Sequence, residues 1–295
     1  MDSSLPGARV YRPILAEPDW IYAKYLGWAA VVEKPGFRLL TRRLGPIRRF
    51  LALSFLPKAD LEEEIAKANI FGGLVSVSVK DFTAEIDELD DAAHPFVEAS
   101  ASERMLNRHT MVVDLSRDVE ELWDNLNTLT RRHCRKSASL AARFHVSDDP
   151  NDPILRPFFE RYAVLATEKG LRHLSQREVR SMIKGGNVII CYASTDRGVH
   201  SIHLVYNVRG SSIYLYSVRG ADKSDESGKF VHWETIKHLK GAGQDWYDLC
   251  GVPSLDKDSG LYRFKAGFGG DLIDLGREFL FQSAAIRAAR QLVRS

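Results

Sequence analysis

The sequence predicts an α/β protein in which strands and helices recur in two runs of similar kind, over about 10–145 and 150–295 of its 295 residues. Three observations carry that prediction. Val75 to Val79 alternates between valine and serine, which is the period of a strand. Val119, Leu122, Trp123, Leu126 and Leu129 recur instead at the spacing of one helix face, a core stripe. Residues 188–193, 198–208 and 211–218 are β-rich runs separated by Thr195-Asp196-Arg197-Gly198 and Asn207-Val208-Arg209-Gly210, which predicts an antiparallel meander.

Taken in order, residues 18–32 read as a short helix, a turn and a strand, with Trp20, Tyr22, Tyr25 and Trp28 crowded together. Strands follow at 37–41 and 47–55, and a helix at about 59–68 whose acidic start, led by Asp60, suits the helix dipole. The strand at 73–79 comes next, and residues 81–108, acidic and rich in Ala and Ser, read as a surface loop. A strand at 111–115 runs into a helix spanning 119–142, capped by Ser116 or Asp118 with Glu120 and Glu121 in its first turn.

The second half of that helix carries Arg131, Arg132, Arg135 and Lys136 with no acid among them. Arg131 with Arg135, and Arg132 with Lys136, are like-charge i,i+4 pairs, which cost helix stability unless something negative compensates. Two partners meet that need: the phosphates of a nucleic acid, or acids from elsewhere in the fold. After a strand at 144–147, the run Asp148 to Pro153 marks a boundary, so the expected domains are 1–147 and 148–295. Helices at 154–167 and, capped by Ser175, at 176–184 precede the meander. A helix at 230–239, strands near 272–275 and 278–281, and a basic helix from Ala284 follow it. On that last helix Arg287, Arg290 and Arg294 form a wet face or part of a nucleic-acid footprint.

Composition narrows the classes. With 41 basic and 39 acidic residues the net charge is +2, so a nucleic-acid partner needs a local patch rather than a global field. Cys134, Cys191 and Cys250 are far apart and lack Cys-x-x-Cys or His companions, which predicts reduced thiols, no zinc site and a cytoplasmic setting. The N-terminus lacks the pattern of a secretory signal, and no apolar run reaches the 18 or so residues of a membrane span.

Residues 246–270 concentrate the chemistry: an apolar strand holding one acid (Tyr247, Asp248, Leu249), a Gly251-Val252-Pro253 turn, a polar loop, and a glycine-rich exit. Read as a strand, 261–268 puts Arg263 and Lys265 on one face and Tyr262 and Phe264 on the other. Two cations beside a flexible Gly267, Gly269, Gly270 turn suit an anionic or carbonyl-bearing ligand; an edge strand showing its polar face to water has the same pattern.

The order Tyr247-Asp248, Gly251-Val252-Pro253, a polar spacer, then Gly260-Leu261-Tyr262-Arg263-Phe264-Lys265-Ala266-Gly267-Phe268-Gly269-Gly270 resembles the C-terminal signature of the Fem-like aminoacyltransferases. The resemblance implies two fused GNAT-like subdomains, each a mixed, mostly antiparallel sheet flanked by helices. The N-terminal one is then the acceptor side and the C-terminal one the donor side. It implies amide-bond formation from aminoacyl-tRNA to an amine of a peptidoglycan precursor or small metabolite, with aminoacyl-tRNA as co-substrate and no resident cofactor. It places Lys265 at the donor end, to neutralise the tetrahedral oxyanion or a terminal tRNA phosphate. The backbone carbonyl of Phe264 and the carboxylate of Asp248 are secondary, and Asp248 reads equally as a structural acid. Trp20 and Lys24 match the family's opening aromatic and acceptor-phosphate lysine, although a solvated lysine beside core aromatics gives the same pattern. Lys169 and Arg172 lie near where an acceptor-phosphate arginine falls. The Arg131-to-Lys136 run also resembles the family's, as a tRNA contact.

Two other classes stay open. An N-acyltransferase using acyl-CoA or a carrier-protein thioester needs a pyrophosphate loop. The loop after Arg219-Gly220-Ala221 lacks that spacing and holds Asp222, Asp225 and Glu226, which count against it; Lys229 after Gly228 only faintly matches a phosphate loop. A non-catalytic module binding RNA or a cell-wall precursor predicts that Lys265→Ala leaves binding intact. His200, His203 and His232 read as satisfied structural groups.

Overall fold

A computed structural model describes residues 11, 13, 27–91, 94–101, 103–208, 210–220 and 227–288. Trp20 and Lys24, the acids Asp222, Asp225 and Glu226, and Arg290 and Arg294 lie outside the described residues. The chain forms two compact units, residues 1–108 with 274–295, and residues 109–273.

The first unit is built on a six-stranded sheet in the order β1-β2-β3-β4-β15-β7. Strands β1 (Ala29–Lys34), β2 (Phe37–Leu44) and β3 (Ile47–Ser54) are antiparallel neighbours. Helix α1 (Lys58–Lys67) then carries the chain across to β4 (Val75–Asp81), which lies parallel to β3. That crossover is what a parallel neighbour demands. All of β4 is buried, so the valine–serine alternation does not mark a wet face; Ser76 and Ser78 are 6% and 2% exposed. The stretch expected as a surface loop contains the two-residue strands β5 (Asp90–Asp91), β6 (His94–Pro95) and β7 (Val97–Glu98). β15 (Glu278–Gln282) sits between β4 and β7, antiparallel to both. Phe37, Phe50, Leu61, Ile65, Val77 and Phe279 fill this unit's core.

The second unit holds a seven-stranded sheet in the order β14-β8-β13-β12-β11-β10-β9. Its middle is the expected meander, β10 (Val188–Thr195), β11 (Gly198–Val208) and β12 (Ser211–Val218), all antiparallel. Helix α6 (Ser227–Gly241) then crosses to β13 (Trp246–Val252), parallel to β12. The edges are β9 (Arg143–Ser147) on one side and, on the other, β8 (His109–Asp114) and β14 (Asp271–Asp274). Helices α4 (Leu155–Lys169) and α5 (Gln176–Lys184) precede the meander, and Ser175 caps α5 through Glu178 N–H as expected. Each unit therefore contains an antiparallel pair, a helical crossover and a parallel strand, the repeat that makes this a duplicated GNAT-like α/β fold.

Three expectations are corrected. The helix foreseen over 119–142 is two, α2 (Val119–Asn125) and α3 (Thr128–Ser139), because Leu126 turns extended (ψ 137°) and Asn127 starts a new helix by accepting from Thr130 N–H. Leu122 and Leu126 are core; Val119, at the first turn, is exposed, and so is Leu129, which the break rotates away. Residues 261–268 are not a strand: Gly260–Ala266 is helix α7, capped by Ser259 through Tyr262 N–H. The compact units also do not divide at 147/148, because β8 pairs with β13 while β15 completes the first sheet.

Candidate functional site

The helical state of α7 decides the geometry of the site. Neighbours two apart on a helix point about 200° away from each other rather than the same way, so Arg263 and Lys265 diverge. Arg263 is exposed, whereas Lys265 is 5% exposed and turns in towards β13. Its ammonium donates to the carbonyls of Cys250 (2.9 Å) and Gly251 (2.6 Å). Burial pulls the Lys265 pKa below the ordinary lysine value, and the neighbouring Cys250 and Asp248 oppose that shift. Two of its three N–H groups are thus spoken for among the described residues, and one is left to donate.

Asp248 lies in β13, 4% exposed, and its Oδ1 accepts from the Thr110 hydroxyl and from Cys250 N–H at 2.7 Å. These contacts are those of a structural acid. Thr110 had no signature in the sequence, because a threonine in an apolar strand looks like any β-branched filler.

Phe264 lines two neighbouring cavities, of about 320 and 480 Å³. Ser201, His203, Tyr214 and Ser217 wall the smaller, while Asn127, Lys257 and Arg263 line the larger; Arg219, Lys229 and Gly260 border both. Arg219 and Lys229, from either side of the crossover between β12 and α6, line both cavities.

The floor is aromatic and uncharged. His232 lies 4.4 Å from His203, 5.5 Å from Phe264 and 4.8 Å from Phe268, ring centre to ring centre, and its Nδ1 is 3.0 Å from the Tyr247 hydroxyl. Burial drives the His203 pKa down to about 3 and that of His232 well below its ordinary value, and it raises Tyr214 to about 12. All three are neutral at physiological pH. The histidines here are structural walls, and Tyr214 and the serines offer hydroxyls to whatever enters.

The glycine-rich exit is a packing device rather than a flexible ligand loop. A Cβ on Gly269 would stand 2.6 Å from the Asn125 carbonyl oxygen, at a φ of +70° that side chains rarely adopt. The exit is thereby pressed onto the end of α2.

Helix α3 sorts its residues cleanly. Thr130, His133, Cys134 and Ser137 recur at i, i+3, i+4, i+7 and are buried, and Cys134 Sγ donates to the Lys229 carbonyl at 3.6 Å. Arg132, Arg135 and Lys136 are exposed on the other side, and Arg131 is half-buried, donating to the Asp124 carbonyl. The Arg135 guanidinium lies over the Trp123 ring at 5.4 Å. Among the described residues none of these four cations forms an ion pair. The first turn of α3 reaches the larger cavity through Leu129.

Lys169 and Arg172 are not among the residues lining either cavity; Arg172 instead pairs with Glu178 at 3.0 Å beside the start of α5.

Residues 209–287 match the model of the FemAB family. No curated protein matches the chain in sequence. Among solved structures, FemX is similar over 96% of this chain and 95% of its own, with a TM-score of 0.69 at 16% identity. The C-terminal domain of a putative lysylphosphatidylglycerol synthetase from Agrobacterium fabrum aligns over 95% of this chain and 92% of its own, with a TM-score of 0.60 at 13% identity. L-PGS from Bacillus licheniformis aligns over 94% and 96%, with a TM-score of 0.54 at 13% identity. The Fem-like likeness read from residues 247–270, and the duplicated GNAT-like fold it implied, are both found.

Proposed function

We propose that the protein is an aminoacyl-tRNA-dependent aminoacyltransferase, forming an amide between an activated aminoacyl ester and an amine of a peptidoglycan precursor or a small metabolite. The observation that supports this reading is the α7–β13 constellation: Lys265, buried and held by two β13 carbonyls, adjoins Phe264, which lines two cavities together with Arg219 and Lys229, all within the segment that matches the FemAB model. FemX, a structure of the same fold over nearly its whole length, gives the reading its context.

The chemistry asked of the chain is modest, because the ester is already activated. The acceptor amine attacks the ester carbonyl, negative charge gathers on the carbonyl oxygen, and the terminal ribose hydroxyl leaves with the proton shed by the amine. A fixed, buried ammonium is suited to that developing charge, and holding donor and acceptor together supplies the rest. Lys265 fills the first role, and the backbone of Phe264 helps to shape the reacting position. The exposed cations of α3, which reaches the larger cavity, hold the tRNA phosphates. The segment with Trp20 and Lys24 serves the acceptor, as do Lys169 and Arg172. The reaction needs no resident cofactor, and the cytoplasm, where charged tRNA is made, is its setting.

The test is direct. The purified protein is mixed with tRNA charged with labelled amino acids, and salt-dependent binding and release or transfer of the label are followed. Binding of charged tRNA, with turnover lost in Lys265→Ala, is the expected result. No binding at low salt, together with thermal stabilisation by acetyl-CoA or an acyl carrier, would replace this reading with an N-acyltransferase.

A further inference from the structure

We propose that Thr110 and Asp248 are positioning residues for Lys265: they hold a bulge at Cys250 whose carbonyl, with that of Gly251, fixes the lysine ammonium against β13. The proposal rests on the assignment of Lys265 to the donor site, but its geometry stands without it.

Three observations converge on that bulge. The antiparallel ladder between β13 and β8 runs in register through Asp248↔Val112 and resumes only at Gly251↔Thr110, so the chain between them is unpaired. Within that gap Cys250 takes a φ of +69°, a left-handed conformation that an L-residue with a side chain keeps only when its surroundings enforce it. What enforces it is Asp248: one oxygen of its carboxylate takes the Cys250 N–H and the Thr110 hydroxyl together. Turning Cys250 this way brings two successive carbonyls within 2.9 and 2.6 Å of the same ammonium. In a regular strand successive carbonyls point to opposite sides, so the lysine could not receive both. The bulge re-aims backbone groups at a site, a recurrent use of such irregularities.

The same carboxylate acts on Lys265 through space. The groups facing the ammonium are Asp248 and the Cys250 thiol on β13 and the neutral His232 on α6, while Arg263 on its own helix points out to solvent. Cys250 and Asp248 both oppose the effect of burial on Lys265, and Asp248 is the carboxylate of the two. Sequence position says nothing of this, because Thr110 and Asp248 are 138 residues apart.

Nuclear magnetic resonance on the full chain, with labelled lysine, tests the proposal without any substrate. The Lys265 side-chain signal is identified by its absence in Lys265→Met and followed against pH. In Asp248→Asn, which keeps the accepting oxygen and removes the charge, Lys265 is expected to titrate at lower pH than in the unaltered chain. Coincident titration curves would overturn the proposal. Thr110→Val is expected to cut kcat at least tenfold with the KM for charged tRNA within twofold, and Thr110→Ser to restore it; an unchanged kcat in Thr110→Val would also overturn it. Should Asp248→Asn fail to fold, the Thr110 pair carries the test alone. A shifted titration without transfer from any charged tRNA removes the donor assignment and leaves the positioning role. Turnover with an unshifted titration removes the positioning role alone.

Discussion

Lys265 shows how little a residue's type says about its use. As a surface lysine it would be a solvated charge; here burial and two backbone carbonyls make it a fixed donor with a depressed pKa. Lys265→Ala is expected to lower turnover by about 10²- to 10³-fold, the usual cost of losing one oxyanion donor, while tRNA binding measured by filter retention stays within a few-fold. Because deprotonation silences the donor, the pH–rate profile of the unaltered chain is expected to fall on its alkaline side below the ordinary lysine range. Gly269 makes the opposite point, since its value lies in having no side chain. Gly269→Ala forces a Cβ against the Asn125 carbonyl at a positive φ. It is expected to destabilise the protein by more than about 2 kcal/mol, read as a lower midpoint in urea. The Gly267-Phe268-Gly269-Gly270 run was conspicuous in the sequence, but the reason for it was not, because the chain that crowds it comes from elsewhere.

At the scale of elements, two misreadings share one cause. Seven residues hold fewer than two helical turns, so an alternation such as Leu261-Tyr262-Arg263-Phe264-Lys265 fits both periods. The caps separate them: Ser259 stands as an N-cap three residues before Tyr262, and Gly267 follows the last turn. Likewise Asn127, a strong N-cap residue, divides the foreseen long helix. That division leaves α3 with its small and polar residues buried and its cations outside. Replacing Arg132, Arg135 and Lys136 together by Glu is expected to weaken tRNA binding at least tenfold at low salt. It should also flatten the dependence of log Kd on log salt by roughly 2, since each lost phosphate contact removes about 0.7–0.9 from the slope. The melting temperature should hardly move, because these side chains are exposed. Equal loss of folding and binding would remove α3 from the tRNA site.

For the whole molecule, the informative feature is how the first unit is completed. Its sheet takes β15 from the end of the chain, between β4 and β7. Around that strand lie two buried charges: Lys80, whose ammonium donates to the Gly276 carbonyl at 2.7 Å, and Glu278, which accepts from the N–H groups of Met105 and Leu106. Burial lowers the Lys80 pKa to about 8, against the ordinary 10.5. Between those values the unfolded chain binds the extra proton, so stability contributed at this site rises with pH from about 8 to 10.5 and is flat below. Thermal melts across that range should show Lys80→Met lacking a rise that the unaltered chain has; parallel curves would mean that Lys80 does not titrate as its burial requires.

The sequence by itself determined the fold class, most elements, and the stretch that carries the chemistry. Periodicity, caps and turns act over a few residues, and the 246–270 signature is contiguous. It also placed Lys265, Phe264 and Asp248 in one neighbourhood. Only the tertiary structure decided that Lys265 faces inward while Arg263 faces out, and that Asp248 organises a bulge with Thr110. Only there do β8 and β15 find their sheets. The Thr110–Asp248 pair and the placing of β8 and β15 depend on partners more than a hundred residues distant, and the turning of Lys265 on a strand across an intervening loop. Close packing and the need to satisfy buried polar groups hold them, and neither is written in any local pattern.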